Sequence, residues 1–421
     1  MNAPAAPTST TKLDWPAAGV ARVPYRVYTD PDLYALEQER IFRGPAWNFL
    51  GLSAEVPNAG DFKSTFIGDT PVVLTRDHAG ALHAWVNRCA HRGALVCREL
   101  RGNVGEAGTY TCVYHQWAYD AGGNLVGVPF RKGLGGKGGY PADFDLKDHG
   151  LRKLRVEDFH GLVFGTFDAS LPAVEPHIGA TAAHYVQRIF NRPLRVLGTT
   201  RQYMNANWKV YAENLRDPYH ASLLHLFHCT FGLYRSTQEG GIELDPTLRH
   251  SVLTSKNKAP ETGRDGYVDD KLRTYDETYA LADPSLLAGR PEFADGKSAV
   301  IQTLFPNLVI QQIANTLAVR QVLPKGVGNF ELVWTCFGYA DDDAELAAMR
   351  LKQFNLIGPA GLISMEDGEA TELVQRAAEA AEPGAAEVIE MEGRGVERAG
   401  SLLSEGNIRA FWQVYRDTLG L

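Results

Sequence analysis

The stretch NRCAHRGALVC (87–97), followed by CVYHQWAYDAGGNLVGVP (112–129), decides how this chain is read. It presents two mixed pairs, Cys89-Ala-His91 and Cys112-Val-Tyr-His115. Each pair suits a loop tip that brings one thiolate and one imidazole to a shared point. A Rieske [2Fe–2S] centre is built this way, with two thiolates on one iron and two imidazoles on the other, and the neutral imidazoles make the cluster easier to reduce than an all-Cys one. The rival is a Cys₂His₂ zinc site, whose thiols usually come as Cys-x₂₋₄-Cys and whose imidazoles come as His-x₃₋₅-His. Mixed pairs with only one residue between Cys89 and His91 favour the Rieske centre and leave zinc as the alternative. Gly93, Gly122 and Gly123 fit tight turns around a cluster. Cys97 reads as a small buried apolar side chain, outside the ligand set.

Outward from these loops, residues 46–165 are β-rich. TPVVLTRD (70–77), ALHAWVNR (81–88) and GLVFGTFD (161–168) cluster β-branched and aromatic residues between turn formers, and RKGLGGKGGYPADF (131–144) is a Gly-rich loop. Helices are expected at 176–190, 207–228, 342–357 and 404–418. Strands are expected within 298–313, 316–324 and 330–340. Segregated strands and helices imply an α+β class, with an N-terminal segment at 1–45, a β-rich domain at 46–165 and a larger domain at 166–421. The stretch 239–297 has weak periodicity and is expected to be a lid or entrance loop.

Composition narrows the function. A chain of 421 residues favours two domains, and 44% apolar residues suffice for conventional cores. A net charge of −8 without any basic block excludes nucleic acid as the main ligand. No apolar run has the length of a membrane span. The start MNAPAAPTSTTKLDWP lacks a signal peptide's basic and apolar regions and reads as a loose tail. Five cysteines, two of them assigned to the cluster, do not make a disulfide framework. These features point to a soluble protein of a reducing cytoplasm.

A second constellation lies in NWKVYAENLRDPYHASLLHLFH (207–228), which offers Asp217, His220, His225 and His228. Two His and one carboxylate with open positions form the facial triad of non-haem Fe(II) oxygenases. On an ideal helix at about 100° per residue, His220 and His225 stand roughly 140° apart and His225 and His228 roughly 60° apart. Either the helix is distorted, for which Pro218 provides a cause, or the pair is a different one. Without the first motif, an amphipathic core helix with satisfied histidines would serve equally. A further carboxylate is available in NLIGPAGLISMEDGEATELVQR (355–376), where Glu366-Asp367 reads as a helix opening.

The cluster loops, the run Asn207-Trp208-Lys209…Glu213-Asn214…Asp217-x₂-His220-x₄-His225 and the segment around Asp367 together resemble the alpha subunits of Rieske non-haem iron aromatic ring-hydroxylating oxygenases. The likeness covers residue 20 or so to the C-terminus. The resemblance implies that Cys89, His91, Cys112 and His115 hold the [2Fe–2S] cluster. It further implies that His220, His225 and Asp367 hold a mononuclear Fe(II), with Glu366 the alternative third ligand. Asp217, with Asn214 beside it, would bridge electron transfer from the Rieske His of a neighbouring subunit. The implied catalytic domain is an antiparallel sheet covered by helices, of the helix-grip, START-like kind. Implied partners are a small beta subunit in an α₃β₃ or α₃ trimer, and a separate reductase, often with a ferredoxin, delivering electrons from NADH. The absence of a Gly-rich dinucleotide fingerprint agrees with a separate reductase.

The implied reaction is O₂-dependent hydroxylation of a benzoate-type acid, with anthranilate 1,2-dioxygenation to catechol favoured over terephthalate 1,2-dioxygenation or salicylate 5-hydroxylation. Arginine offers a bidentate fork to a carboxylate. Arg320 on a half-buried strand and Arg409 in the last helix are the candidate clamp, and Asn315, Gln311 and Gln312 are candidates for an ortho substituent. The reading from another class, a non-catalytic Rieske electron carrier, needs only about 110 residues. It leaves the 256 residues of 166–421 without a role.

Overall fold

The computed structural model describes residues 13–257, 264–396 and 401–421. Most of the N-terminal tail expectation therefore lies outside the described residues. Two seven-stranded antiparallel sheets organise the chain. The first runs Asn48–Leu52, Leu162–Thr166, Lys153–Phe159, Leu82–Val86, Thr70–Arg76, Asp61–Ile67 and Arg101–Asn103, and a small three-stranded sheet spans Tyr110 to Gly127 beside it. The chain leaves along Asn48–Leu52 and returns along Leu162–Thr166, its antiparallel neighbour.

The second sheet runs Leu194–Met204, Phe330–Tyr339, Thr316–Pro324, Leu308–Ile313, Ala299–Leu304, His250–Lys256 and Glu239–Leu244. The helices are α1 (Pro31–Glu37), α2 (Val174–Ile189), α3 (Trp208–Asn214), α4 (Pro218–Leu224), α5 (Leu226–Thr230), α6 (Asp265–Asp269), α7 (Ala344–Ile357), α8 (Leu362–Glu379) and α9 (Gly406–Leu419). Strand alternation separates the faces. Leu304, Leu308, Ile310, Val319 and Phe337 pack against Val174, Ile178, Ala182 and Val186 of α2 and against Phe49 and Phe164 of the first sheet. The opposite face, carrying Ile301, Ile313, Arg320 and Trp334, looks toward α4, α5 and α8 across a cavity.

Three expectations are corrected. Residues 239–256 are the last two strands of the second sheet, because Gly240-Gly241 and Asp245-Pro246 dilute an alternation that pairing nevertheless satisfies. The irregular part begins after them, and residues 258–263 lie outside the described residues. The expected single helix at 207–228 is three short helices. Helix α8 starts at Leu362, so Glu366 and Asp367 sit in its second turn and do not open it.

The N-terminal segment is part of this body. Glu37 and Lys209 are both fully buried and pair at 2.6 Å. Glu37 also accepts from Trp208 Nε1 at 2.8 Å and from Tyr415 OH at 2.6 Å. One carboxylate thus joins α1, α3 and α9.

Candidate active site

Two donor groups form. In the cluster loops, Gly93 turns with φ +76°, and the amide of Cys89 donates to Ala94 O while that of Gly93 donates back to Cys89 O. The second loop is a similar turn, with Cys112 N donating to Trp117 O and Gln116 N to Cys112 O. Cys89 Sγ lies 3.2 Å from Tyr119 OH. The His91 and His115 rings are 4.5 Å apart, and His91 stacks on Trp117. Ligand atoms around one tetrahedral zinc lie within about 4 Å of one another, given metal–ligand lengths near 2.0–2.3 Å. Among the described residues, the one group of three or more His, Cys, Asp or Glu gathered within 4.8 Å lies elsewhere. The two turns each bring one thiol and one imidazole, the donor set of a cluster with two thiolates on one iron and two imidazoles on the other. Cys97 is buried nearby, its thiol pushed up to about 12 by burial and the Glu99 charge.

The compact group is His220, His225 and Asp367. Asp367 Oδ1 is 3.4 Å from His220 Nε2 and 3.2 Å from His225 Nε2. The chain achieves this by breaking the helix twice. Asp217 caps α4, accepting from the amides of Tyr219 and His220, with Pro218 in the first turn. His225 itself is extended (φ −88°, ψ 90°) between α4 and α5. The angular conflict of an ideal helix is thereby removed.

Each imidazole presents Nε2 inward and has a carboxylate at Nδ1. Asp217 Oδ2 lies 3.3 Å from His220 Nδ1, too oblique for a formed hydrogen bond. Glu366 Oε2 lies 2.7 Å from His225 Nδ1. Glu366, the alternative third ligand, therefore faces the outer nitrogen of His225 and not the shared point. Such partners fix ring orientation in metal sites. Asn214 Nδ2 donates to Asp367 Oδ1 at 3.0 Å. Burial opposes charge on His220, yet the adjacent carboxylates of Asp217 and Asp367 raise it to about 10. Burial likewise opposes the Asp367 carboxylate, but the charge of His225 and hydrogen bonds from both histidines hold it well below the usual range. Three carboxylates around two imidazoles concentrate negative charge, which suits a divalent cation on two nitrogens and one oxygen.

The cavity over this group has an apolar wall of Leu233, Leu253, Ile301, Ile313, Trp334 and Ile363. Arg320 enters it from the sheet. The residue is 6% exposed. Its Nη1 donates to Tyr211 OH at 2.8 Å, its guanidinium lies 4.2 Å over Trp334, and its Nε has no partner. Among the described residues no carboxylate pairs with it. His228 also lines the cavity, and burial, aided by the His225 charge, pushes it down to about 3, so it is neutral.

Three other candidates are placed elsewhere. Arg409 is 2% exposed and donates to the carbonyls of Gly395, Ile389 and Met391. Its expected clamp role is corrected: the apparent polar face of α9 is covered by the 389–395 segment. Asn315 is bound to Arg290 and Glu292 at the turn before Thr316, away from the cavity. Gln312 is spent on the carbonyls of Lys297, Ser298 and Ala314. Tyr211 and the Glu366 contact were not anticipated. Neither the spacing around Tyr211 nor that around Glu366 carries a signal for these contacts.

Asn214, Asp217 and His220 also line an outer depression with Glu213, Glu387 and Glu405. These three side chains are thus a partition, with the cavity on one side and the surface depression on the other. Burial raises the Glu387 carboxyl to about 7, although Tyr28 OH donates to it at 2.9 Å. Burial, with the Glu387 charge, pushes Glu213 up as well. A carboxyl whose folded pKa is raised favours the protonated fold, so stability is lost as pH rises from about 4.5 through 7. The thermal midpoint is expected to fall over that window, and to fall less in Glu387→Gln, measured by thermal unfolding between pH 5 and 8. Equal slopes in the two proteins would contradict this.

A family model described as the ring hydroxylating alpha subunit (catalytic domain) matches residues 181–421, and one described as the Rieske [2Fe–2S] domain matches 46–138. The chain is 52% identical to the anthranilate 1,2-dioxygenase large subunit of Burkholderia cepacia, covering 99% of this chain and 97% of that one. It is 46% identical to the terephthalate 1,2-dioxygenase terminal oxygenase component subunit alpha 2 of Comamonas sp., covering 97% and 98%. In fold it is similar to naphthalene 1,2-dioxygenase from Rhodococcus sp., with a TM-score of 0.77 at 23% identity over 94% of each chain. Among the described residues no helix is long and apolar enough to cross a membrane.

Proposed function

We propose anthranilate, or a benzoate with an equivalent ortho substituent, as the substrate of this chain, which belongs to the ring-hydroxylating alpha-subunit family and carries a Rieske [2Fe–2S] domain. In this reading residues 46–165 are the Rieske domain and 166–421 the catalytic domain, with 1–45 packed on the latter. Cys89, His91, Cys112 and His115 hold the cluster, and His220, His225 and Asp367 hold the single iron. When bound, the cluster stores an electron and the iron supplies open positions for reducing dioxygen.

The residues of the chain do the rest. Arg320 takes the carboxylate, and this buried, unpaired cation in an apolar cavity is the observation that carries the proposal, since an uncompensated buried charge is destabilising until an anion arrives. The apolar wall excludes water from the ring. Asp217, on the partition, links His220 to the outer depression. The exposed Val113 and Tyr114 on the second cluster loop (56% and 55%) support docking of that loop on a neighbouring copy in an α₃ or α₃β₃ assembly. A separate reductase supplies the electrons, in the cytoplasm, where thiols stay reduced and NADH is at hand.

Adding both atoms of O₂ across C1 and C2 of the anthranilate anion, with two electrons and three protons, gives catechol, CO₂ and ammonia. The test is turnover of benzoate, anthranilate, salicylate and terephthalate with NADH and a surrogate reductase under ¹⁸O₂, products identified by mass. Doubly labelled catechol from anthranilate is expected. Turnover of salicylate or terephthalate in its place would reassign the substrate, and no turnover of any aromatic acid would end the proposal.

A further inference from the structure

We infer that His228 is the second polar anchor of the cavity and receives the ortho amino group of the substrate, an inference that rests on the aromatic-acid reading above. His228 lies in α5, one turn beyond His225, with its ring perpendicular to the His225 ring at a centroid distance of 5.4 Å. It is 5% exposed, and its Nδ1 has no partner. Most of the other polar side chains lining the cavity are engaged. Asn214, His220, His225 and Asp367 hold one another, Asp217 caps α4, and Tyr234 OH donates to Pro218 O. Outside that group Arg320, Trp334 and His228 keep an unpartnered nitrogen, and of these His228 alone can accept a hydrogen bond, since Arg320 Nε and Trp334 Nε1 only donate.

A neutral imidazole has one N–H and one lone pair. It can therefore accept from an amino or hydroxyl group on the ring, whereas a bare C–H offers it nothing. A buried nitrogen left unpaired is unfavourable, so a cavity lined by His228 discriminates against an acid that lacks the substituent. The chemical class of ligand is an aromatic carboxylate with a hydrogen-bonding group at the adjacent carbon.

The experiment measures equilibrium binding to the iron-loaded, resting holoprotein without reductant. Anthranilate is followed by its own fluorescence and benzoate by displacement. Wild-type protein is expected to bind anthranilate about tenfold more tightly than benzoate, roughly the worth of one hydrogen bond. His228→Leu is expected to remove most of that ratio and His228→Gln, which keeps an acceptor, to restore much of it, with iron content reported for each. An unchanged ratio in iron-loaded His228→Leu overturns the inference. So does wild-type protein that binds the two acids equally, a result that leaves the Arg320 reading standing. Wild-type protein that binds neither acid overturns both.

Discussion

Asp217→Ala is expected to retain about three irons and two sulfides per chain, yet to lose at least about a hundredfold in single-turnover product formation, as misplacement at a reacting centre does. The side chain has two duties. Oδ1 caps α4, and Oδ2 stands beside His220 Nδ1 on the partition. Removing it leaves His220 Nε2 and His225 Nε2 facing Asp367, so metal loading survives. The lost cap weakens the helix by about 1 kcal/mol. Asp217→Asn keeps an acceptor for the cap and removes the charge, which separates the two duties. Iron and sulfide analysis, followed by product formation from prereduced protein in a single turnover, checks the prediction. Product at the wild-type level in both variants would dismiss the bridging assignment.

The second large effect is at Arg320. Arg320→Met is expected to weaken benzoate and anthranilate binding together by about a hundredfold, the range of a hydrogen bond to a charged group. Its thermal midpoint should shift by no more than about 3 °C. The two expectations have one cause. The guanidinium is buried with no carboxylate partner among the described residues, so its removal relieves an uncompensated charge and offsets the lost hydrogen bond to Tyr211. Equilibrium binding and thermal unfolding on the same preparations decide it. Unchanged affinity for both acids would show that the carboxylate goes elsewhere.

How much of this was legible in the sequence depended on the distance over which each feature is encoded. The cluster loops could be read because both ligands of each pair lie within a few residues, and the spacing itself carries the chemistry. The break in 207–228 was legible as a contradiction, since His220 and His225 cannot share a face on an ideal helix. Pro218 and the extended His225 resolve it. Arg409 was misread for a reason that pattern cannot reveal. An amphipathic stripe marks the polar side of α9, but a distant segment supplies the carbonyls that bury that side. Asn315 failed in the same way, through Glu292 and Arg290. The division of labour between Glu366 and Asp367 was also hidden, because adjacent residues on one helix turn differ only in direction, and direction is set by what α8 packs against.

The Glu37 carboxylate described with the fold has a consequence for how this protein can be engineered. It neutralises an ammonium sealed in the same helix that leads into the turn carrying Asp217 and His220. Deleting a segment that includes Glu37 would therefore remove a structural partner. It would strand a charge in oil, at about 3–5 kcal/mol, directly behind the catalytic chemistry.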